Sequence, residues 1–194
     1  MNQNLLNNYC MVIKNFVGNE SAKEMSDLLY KDSLKSYNRD DQVPTAHSVQ
    51  NPNFGLIVLC NKCLEVGKYV EENVLPTYCY ARQYEHGSIL KRHTDRTACE
   101  ISLTVHLDGD KEWPIWVETP DGENVSVELE SGDALLYLGC VIPHWRDAYN
   151  GNRYSQLFLH YVRSNGICSG AFFDKKKDKV DRSLLQQEYQ SLLK

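Results

Sequence analysis

Apolar positions in the first 77 residues recur mostly every three to four residues, which is the spacing of an amphipathic helix. One helix has a clear start, because Ser21 can cap it and Glu24 stands three residues later. A polar loop with two prolines, of a length that is often functional, separates the helical segments. The pattern predicts a strand at 9–17, a helix at 21–31, a long loop with room for one extended piece at 32–53, and a helix at 54–74 that stops before Pro76.

After Pro76 the pattern changes to short apolar runs separated by turn sequences such as Pro120-Asp121-Gly122. Many short strands at close spacing are typical of a sandwich or barrel, and we expect a double-stranded β-helix, the jelly-roll arrangement. A last amphipathic helix follows a charged segment. The predicted strands are 78–84, 100–107, 113–118, 125–129, 134–138, 144–149 and 154–162, and the last predicted helix is 182–193.

The length of 194 residues suits a single domain, mainly β with flanking helices. We divide it into an N-terminal helical support with a loop at 1–77, a jelly-roll core at 78–163, and a C-terminal tail and helix at 164–194. Hydrophobic residues make up 42% of the chain and charged residues 24%, which is ordinary for a soluble globular protein. No stretch approaches the roughly 18 apolar residues that span a bilayer, so no membrane partner is expected.

Seven cysteines, an odd number in a chain of this size, favour reduced thiols. The lone Cys60-x-x-Cys63 pair lacks the second pair of a structural zinc site and the context of a redox motif, so we assign it neither role. Residues 1–8 lack the basic flank and the long apolar run of a secretory signal. The cytoplasm is therefore the expected location.

The net charge of −5 argues against nucleic acid as a partner, because surfaces that bind polyanions carry a basic excess. The only dense basic run in the sequence, at 175–177, is diluted by neighbouring acidic residues. We interpret that run as part of a solvated connector. No pattern in the sequence predicts an oligomeric state.

The stretch from Tyr84 to Asp95 ends in a histidine and an aspartate separated by one residue. Residues i and i+2 of an extended strand point to the same face, so His93 and Asp95 can offer an imidazole nitrogen and a carboxylate oxygen to one metal ion. These are two corners of a 2-His-1-carboxylate site. His144, which follows a predicted strand and the turn at Pro143, is the expected third ligand.

Arg153 stands nine residues after His144 and opens the last predicted strand, with Ser155 on the same strand face. Together, these motifs resemble the iron(II)- and 2-oxoglutarate-dependent dioxygenases, particularly their prolyl 4-hydroxylase-like branch, over residues 78–163. The resemblance is carried by Tyr84-x-x-Gly87-x-x-Leu90-x-x-His93-x-Asp95, by the Gly132-Asp133-Ala134-Leu135-Leu136 turn and strand, by His144 and by Arg153.

The resemblance implies a role for the residues that match. His93, Asp95 and His144 would bind iron(II), and Arg153 would pair with the distal carboxylate of the cosubstrate 2-oxoglutarate. Dioxygen would be the second cosubstrate. The implied reaction hydroxylates a C–H bond and releases succinate and carbon dioxide.

Three further residues receive expectations from the same resemblance, and a fourth receives one from strand alternation. Tyr84 matches a tyrosine that hydrogen-bonds the cosubstrate in the hydroxylases, and Ser155 matches the hydroxyl of an Arg-x-Ser pattern. His106 either contacts the cosubstrate or is a plain interior histidine. His160 alternates to the opposite face from Arg153 and is expected to be structural.

The expected substrate is a peptide residue of the prolyl type or an amino-acid-like small molecule. Where these hydroxylases commonly have a Gly-Gly-rich strand, this chain has Trp113 and Trp116, so the substrate side of the site is expected to differ. The substrate would enter past the 32–53 loop and the neighbourhood of these indoles and Trp145.

Two alternatives remain open at this point. One is a non-catalytic, cupin-like jelly-roll module that binds a metal or a ligand. The other is a hydrolase or isomerase that uses the same three ligands with zinc or manganese. The combination of an intact triad with Arg153 favours the dioxygenase over both. A module without turnover has no need of both features, and the hydrolase or isomerase has no use for a deep arginine.

Overall fold

The computed structural model of the chain describes residues 1–175 and 181–193. Most of the basic run at 175–177, which we interpret as a connector, lies outside these described residues. Within them, no helix is both long and apolar enough to cross a membrane.

The N-terminal segment is helical, as its apolar pattern predicts, but its second long helix is divided in two. Lys62 separates the two parts, and Glu71, in a left-handed conformation with φ 57°, ends the second part. The next strand begins at Val74, so Pro76 lies inside a strand instead of marking the end of a helix. The helices are α1 (Gln3–Asn8), α2 (Asn19–Lys35), α3 (Asn53–Asn61), α4 (Cys63–Val70) and α5 (Arg182–Leu192).

Ten strands among the described residues form two antiparallel sheets. They are β1 (Cys10–Ile13), β2 (Ala46–Gln50), β3 (Val74–Glu85), β4 (Leu90–His93), β5 (Ile101–Gly109), β6 (Ile115–Glu118), β7 (Asn124–Val127), β8 (Ala134–Tyr137), β9 (His144–Arg146) and β10 (Arg153–Arg163). The larger sheet has the order β1-β8-β5-β10-β3-β2, and the smaller has the order β4-β9-β6-β7. The predicted fold class, mainly β with flanking helices around a jelly-roll core, is confirmed.

The outer face of the six-stranded sheet is apolar and packs against helices. Leu103 of β5 and Leu157 and Leu159 of β10 are completely buried in the main hydrophobic cluster, which also contains residues of α2, α3 and α4. Tyr161 adds a hydrogen bond of 2.8 Å from its hydroxyl to the carbonyl oxygen of Leu59 in α3. Burial of this apolar surface therefore holds the helical support on the sheet.

The inner face of the same sheet is more polar and looks toward the four-stranded sheet. Strand alternation places Tyr154, Gln156, Phe158 and His160 of β10 on this inner face. Directly across the β10–β5 ladder, His160 is paired with Ser102. A smaller apolar cluster links the two sheets and includes Ile115, Val117, Leu135, Tyr137 and Ile142.

Candidate metal centre and the cavity beside it

Three potential metal ligands lie where β4, an edge strand of the smaller sheet, pairs with its neighbour β9. His93 at the end of β4 is the ladder partner of His144 at the start of β9. Asp95 lies two residues beyond β4, and its backbone N–H donates to the carbonyl oxygen of Gly139 at 2.9 Å. The Nε2 atoms of both histidines lie 3.6 Å from Oδ1 of Asp95. The structure therefore brings the three residues of the predicted triad together, with their ligand atoms within 4.8 Å of one another.

The two histidines are held in the tautomer that a metal requires. Nδ1 of His93 lies 2.8 Å from the carbonyl oxygen of Lys91, and Nδ1 of His144 lies 3.0 Å from that of Ile142. Because a carbonyl oxygen only accepts, each Nδ1 carries the proton, and each Nε2 keeps a free lone pair beside Asp95. Two imidazole nitrogens and one carboxylate oxygen form a donor set that suits iron(II) and leaves coordination positions open.

The charges in the triad also favour metal binding near neutral pH. Burial raises the pKa of Asp95, but the adjacent His144 and His93 outweigh burial and lower the pKa to about 2. Burial lowers the pKa of His144, which therefore stays neutral. For His93 burial also lowers the pKa, but the adjacent Asp95 carboxylate outweighs burial and raises the pKa. The carboxylate is thus ionised and the most deeply buried ligand is neutral, which are the forms that bind a metal.

A second group of potential ligands, formed by Asp95, Cys99 and His160, shares one member with the triad. Nδ1 of His160 is already 2.9 Å from the hydroxyl of Ser102. The thiol of Cys99 lies 3.1 Å from the hydroxyl of Tyr78, and burial raises its pKa well above the ordinary value. A thiol that stays protonated is a poor metal ligand, so this second group does not compete with the triad for a metal ion.

A cavity of about 140 Å³ opens beside the triad, between the two sheets. Besides His93, Asp95 and His144, its walls carry aromatic, apolar and polar side chains from both sheets and from the loop between α2 and β2. They are Gln42, Tyr78, Tyr80, Arg82, Leu90, Ile115, Tyr137, Arg146, Gln156, Phe158 and His160.

Arg146 is the cation in this cavity that lacks a counter-ion. It stands two residues after His144 on β9, and it is 1% exposed. Nη1 donates to the carbonyl oxygen of Trp113, but Nε and Nη2 make no hydrogen bond to any described residue. The guanidinium lies 4.8 Å from the Trp113 ring and 5.2 Å from the Tyr154 ring. No carboxylate in the described residues pairs with it, and a buried cation without a partner is strongly unfavourable, so the site is built for an anion.

Arg82, the other arginine in the cavity wall, is paired with a carboxylate of the protein itself. Its Nη2 lies 2.9 Å from Oδ2 of the buried Asp40, and its Nε donates to the same oxygen at 3.0 Å. Its remaining donors reach the hydroxyl of Tyr84 at 3.1 Å and the side-chain oxygen of Gln42 at 3.0 Å. Arg82 therefore fixes the loop between α2 and β2 against the cavity, and its charge is already paired with Asp40.

No family model matches the sequence, and no curated protein sequence matches it. Solved structures do match. A prolyl-4-hydroxylase from Pseudomonas putida is 14% identical, with a TM-score of 0.68 over 82% of this chain and 95% of that one. A Trichoplax adhaerens prolyl hydroxylase in complex with a peptide fragment of hypoxia inducible factor is 14% identical, with a TM-score of 0.66 over 82% and 86%. HygX from Streptomyces hygroscopicus, with nickel, 2-oxoglutarate and hygromycin B bound, is 11% identical, with a TM-score of 0.65 over 83% and 85%.

The chain has the fold of the 2-oxoglutarate-dependent oxygenases. At identities of 11–14%, the likeness establishes the fold alone. The residues that would perform oxygenase chemistry must therefore be judged from their positions in this chain.

Arg153 and Ser155 are not placed in the cavity of this oxygenase fold. Because Gln156 and its alternating neighbours face inward, Arg153 and Ser155 face the outer side of the sheet. Arg153 pairs with Asp108 at 3.2 Å and lies 4.8 Å from the ring of Tyr30 in α2, with a side chain that is 34% exposed. Ser155 is completely buried, and its hydroxyl makes no hydrogen bond. The expectation that Arg153 lies deep inside the barrel is therefore corrected: its strand register turns it away from the triad.

Tyr84 and His106 lie inside the barrel but beyond the cavity. The hydroxyl of Tyr84 accepts from Arg82, and its ring meets Trp113 edge-on at 4.8 Å. His106 stacks on Tyr154 at 4.3 Å, and its Nδ1 donates to the carbonyl oxygen of Leu129 at 2.8 Å. The Nε2 atom of His106 makes no hydrogen bond and borders a separate, more open cavity. Neither residue reaches the triad.

Apart from the triad, no residue that lines the cavity was assigned a site role from the sequence, and three of these residues are polar groups that carried a signal. Arg146 carried a usable signal, because alternation from His144 puts position 146 on the same strand face. Strand alternation also places Gln156 and His160 on one face of β10, but the sequence does not show that this face is the inner one. His160 was expected to be structural because it opposes Arg153. The alternation is correct, but the face that His160 occupies is the inner one.

Proposed function

We propose that the protein is an iron(II)- and 2-oxoglutarate-dependent dioxygenase that hydroxylates a C–H bond of a peptide residue or an amino-acid-like small molecule. One observation carries the proposal. A 2-His-1-carboxylate triad and a buried arginine with two unused donors border the same small cavity. A metal site alone would fit many reactions, but an adjacent buried anion site fits a metal-chelating dicarboxylate.

His93, Asp95 and His144 would hold the iron. When bound, iron(II) and 2-oxoglutarate supply the oxidative chemistry, in which dioxygen is consumed, the keto acid is decarboxylated to succinate and a C–H bond is hydroxylated. The protein contributes position and surroundings. Nδ1 of each histidine stays bonded to a backbone carbonyl, so the Nε2 atoms keep their direction toward Asp95.

Arg146, in place of Arg153, would pair with the distal carboxylate of 2-oxoglutarate. The unpartnered Nε and Nη2 of Arg146 offer the two-donor fork that a carboxylate accepts. The amide of Gln156, whose Nε2 and Oε1 also lack partners within residues 1–175 and 181–193, lines the same cavity and can add a hydrogen bond. The aromatic rings of Trp113 and Tyr154 beside Arg146 exclude water and so strengthen this pairing.

The proposed substrate class rests on the cavity-lining residues that have no role in binding iron or 2-oxoglutarate. Tyr78, Tyr80 and Phe158 present aromatic surface to the cavity, and Arg82 is neutralised by Asp40. A net charge of −5 gives a phosphate backbone little attraction. Among the solved structures, one prolyl hydroxylase holds a peptide and HygX holds hygromycin B, which supports a peptide or a small molecule.

The proposal is tested by succinate release above the uncoupled background. The assay offers a proline- and lysine-containing peptide library, a panel of free amino acids, and methylated single- and double-stranded oligonucleotides. His144→Ala supplies the background. We expect at least one peptide or amino acid to stimulate succinate release by wild type alone. Stimulation confined to oligonucleotides would overturn the substrate class, and no consumption of 2-oxoglutarate under any condition would overturn the reaction.

A further inference from the structure

The two carboxylate oxygens of Asp95 face different surroundings. Oδ1 lies 3.6 Å from Nε2 of both His93 and His144, on the side where a metal would sit. Oδ2 lies on the other side, 3.2 Å from the hydroxyl of Ser102. A carboxylate can rotate about its side-chain bond, and a rotation would exchange the two oxygens or present both of them to the metal. Something must therefore hold Oδ2 in place if Asp95 is to offer one oxygen.

Ser102 is itself held by His160. Nδ1 of His160 lies 2.9 Å from the Ser102 hydroxyl, and the two residues are direct partners across the β10–β5 ladder. Both residues are buried. The ring of Tyr78, on the adjacent strand β3, packs on the His160 ring with 4.5 Å between the ring centroids. The backbone register thus fixes the distance between the imidazole and the hydroxyl.

The order of donors follows from what each group can offer. The hydroxyl of Ser102 has one proton and three candidate acceptors: Oδ2 of Asp95 at 3.2 Å, the carbonyl oxygen of Cys99 at 3.1 Å, and Nδ1 of His160 at 2.9 Å in the tautomer that leaves this nitrogen unprotonated. An ionised carboxylate is the stronger acceptor, so the proton goes to Asp95. Nδ1–H of His160 then donates to the Ser102 oxygen, and the three groups form a chain that ends on the carboxylate.

Gly139 shows that the fold leaves space for this chain. A Cβ atom at position 139 would lie 2.6 Å from Oδ2 of Asp95 and 2.7 Å from the hydroxyl oxygen of Ser102, distances that real Cβ atoms do not adopt. The same glycine accepts the backbone N–H of Asp95 through its carbonyl oxygen. Any side chain here would separate the carboxylate from the hydroxyl.

We infer that Ser102 and His160 are positioning residues that fix the orientation of the Asp95 carboxylate, so that it binds the metal through Oδ1 alone and leaves the remaining positions open for the cosubstrate. This inference rests on the proposed function, because it assumes a metal at the triad. Neither residue belongs to the ligand triad. Both act through Asp95, as the hydrogen-bonding partners of metal ligands commonly do.

The test measures cobalt(II) binding to the metal-free protein, by calorimetric titration and by the visible absorption of the bound ion, without any turnover. Ser102→Ala should weaken cobalt(II) binding by about 10–100-fold and change the absorption spectrum, since losing such a partner has effects of that size. Thr104→Val is the matched control. Thr104 is the next inward residue on β5, equally buried, and its hydroxyl makes no hydrogen bond. It should bind cobalt(II) like wild type.

A second pair of variants keeps the test decisive if Ser102→Ala does not fold. His160→Phe removes the donor and should weaken binding, whereas His160→Asn places an amide N–H near the position of Nδ1 and should restore most of it. The double variant Ser102→Ala/His160→Phe should bind no more weakly than Ser102→Ala, because the residues act in one chain.

The outcomes separate the two proposals. Wild-type affinity and spectrum in Ser102→Ala, or in His160→Phe, would overturn the positioning role while the metal site stands. Equal losses in Ser102→Ala and Thr104→Val would also overturn it, because a general packing effect would then explain both. Failure of wild type to bind cobalt(II), or binding that survives His93→Ala and Asp95→Ala, would overturn the metal site and the positioning role together.

Discussion

The two faces of the six-stranded sheet are built from the same strands but differ in chemistry. On the outer face, Leu157 and Leu159 are fully buried against helices, and their side chains have no polar atoms that need a hydrogen-bond partner. On the inner face, Gln156 and the facing Arg146 keep polar atoms without partners, and the cavity beside the triad adjoins them. Alternation along one strand, β10, thus separates Leu157 and Leu159, which stabilise the fold, from Gln156, whose amide borders the cavity without a partner among the described residues.

The largest expected effect contrasts two arginines, Arg146 on the inner face and Arg153 on the outer. Arg146→Leu should weaken 2-oxoglutarate binding by about 2–5 kcal/mol, because the variant removes one partner of a buried, hydrogen-bonded charge pair. Arg153→Leu removes a partly exposed ion pair with Asp108 and should change binding by less than about 1 kcal/mol. Calorimetric titration of the metal-loaded variants with 2-oxoglutarate measures both values. The reverse order would restore Arg153 as the carboxylate partner and reject Arg146.

A comparable loss, but of stability and not of binding, is expected on the outer face. Leu159→Ala should lower the free energy of unfolding by about 2–5 kcal/mol, since it leaves a cavity in the main hydrophobic cluster. Metal affinity of the folded variant should equal that of wild type. Urea denaturation and cobalt(II) titration measure the two quantities. A large loss of metal affinity at unchanged stability would mean that the two faces are not separate in function.

A variant of Gln156, on the inner face, is expected to gain stability and lose affinity for 2-oxoglutarate. Gln156→Met keeps the length of the side chain but removes a buried amide that has no hydrogen bond. We expect the free energy of unfolding of the metal-free protein to rise, by up to about 1–3 kcal/mol, because the penalty of the unpaired amide is removed. Affinity for 2-oxoglutarate should fall. A variant that loses stability would show that the amide is satisfied in solution.

The smallest expected effect is a pH dependence of stability that arises from His160. Burial lowers the pKa of His160 from 6.5 to about 4. Between these values the unfolded chain binds a proton at this histidine that the folded chain does not bind, so the free energy of unfolding decreases as the pH falls from 6.5 to 4. In His160→Asn this decrease should be shallower. Denaturation of both metal-free proteins at several pH values compares the slopes, and identical slopes would contradict the assignment.

The triad could be predicted from the sequence because two of its three residues are close neighbours in the chain. The spacing of His93 and Asp95 constrains a strand and the residues just after it, and the approach of His144 follows from the jelly-roll order. The choice of arginine is different. Alternation says that Arg153 and His160 lie on opposite faces of β10, but it does not say which face is inside. That depends on the register with β3 and β5, which includes irregular positions near both ends of the strand.

Two other features escaped the sequence pattern for similar reasons. The break between α3 and α4 at Lys62 lies inside a continuous apolar pattern, so periodicity alone does not reveal it. The buried Asp40–Arg82 ion pair joins a loop to a strand 42 residues later. A pair of that kind depends on tertiary contacts, and in the sequence the 32–53 loop shows only that it is polar.

The claim that the triad and Arg146 form one site for iron(II) and 2-oxoglutarate is tested most directly by anaerobic visible spectroscopy. Iron(II) and 2-oxoglutarate are added without dioxygen, and the weak charge-transfer band of a keto acid chelated to iron is recorded. The band should appear with wild type and Arg153→Leu, require much more 2-oxoglutarate with Arg146→Leu, and be absent with His93→Ala and Asp95→Ala. A band that persists unchanged in those last two variants would place the iron elsewhere and contradict the account.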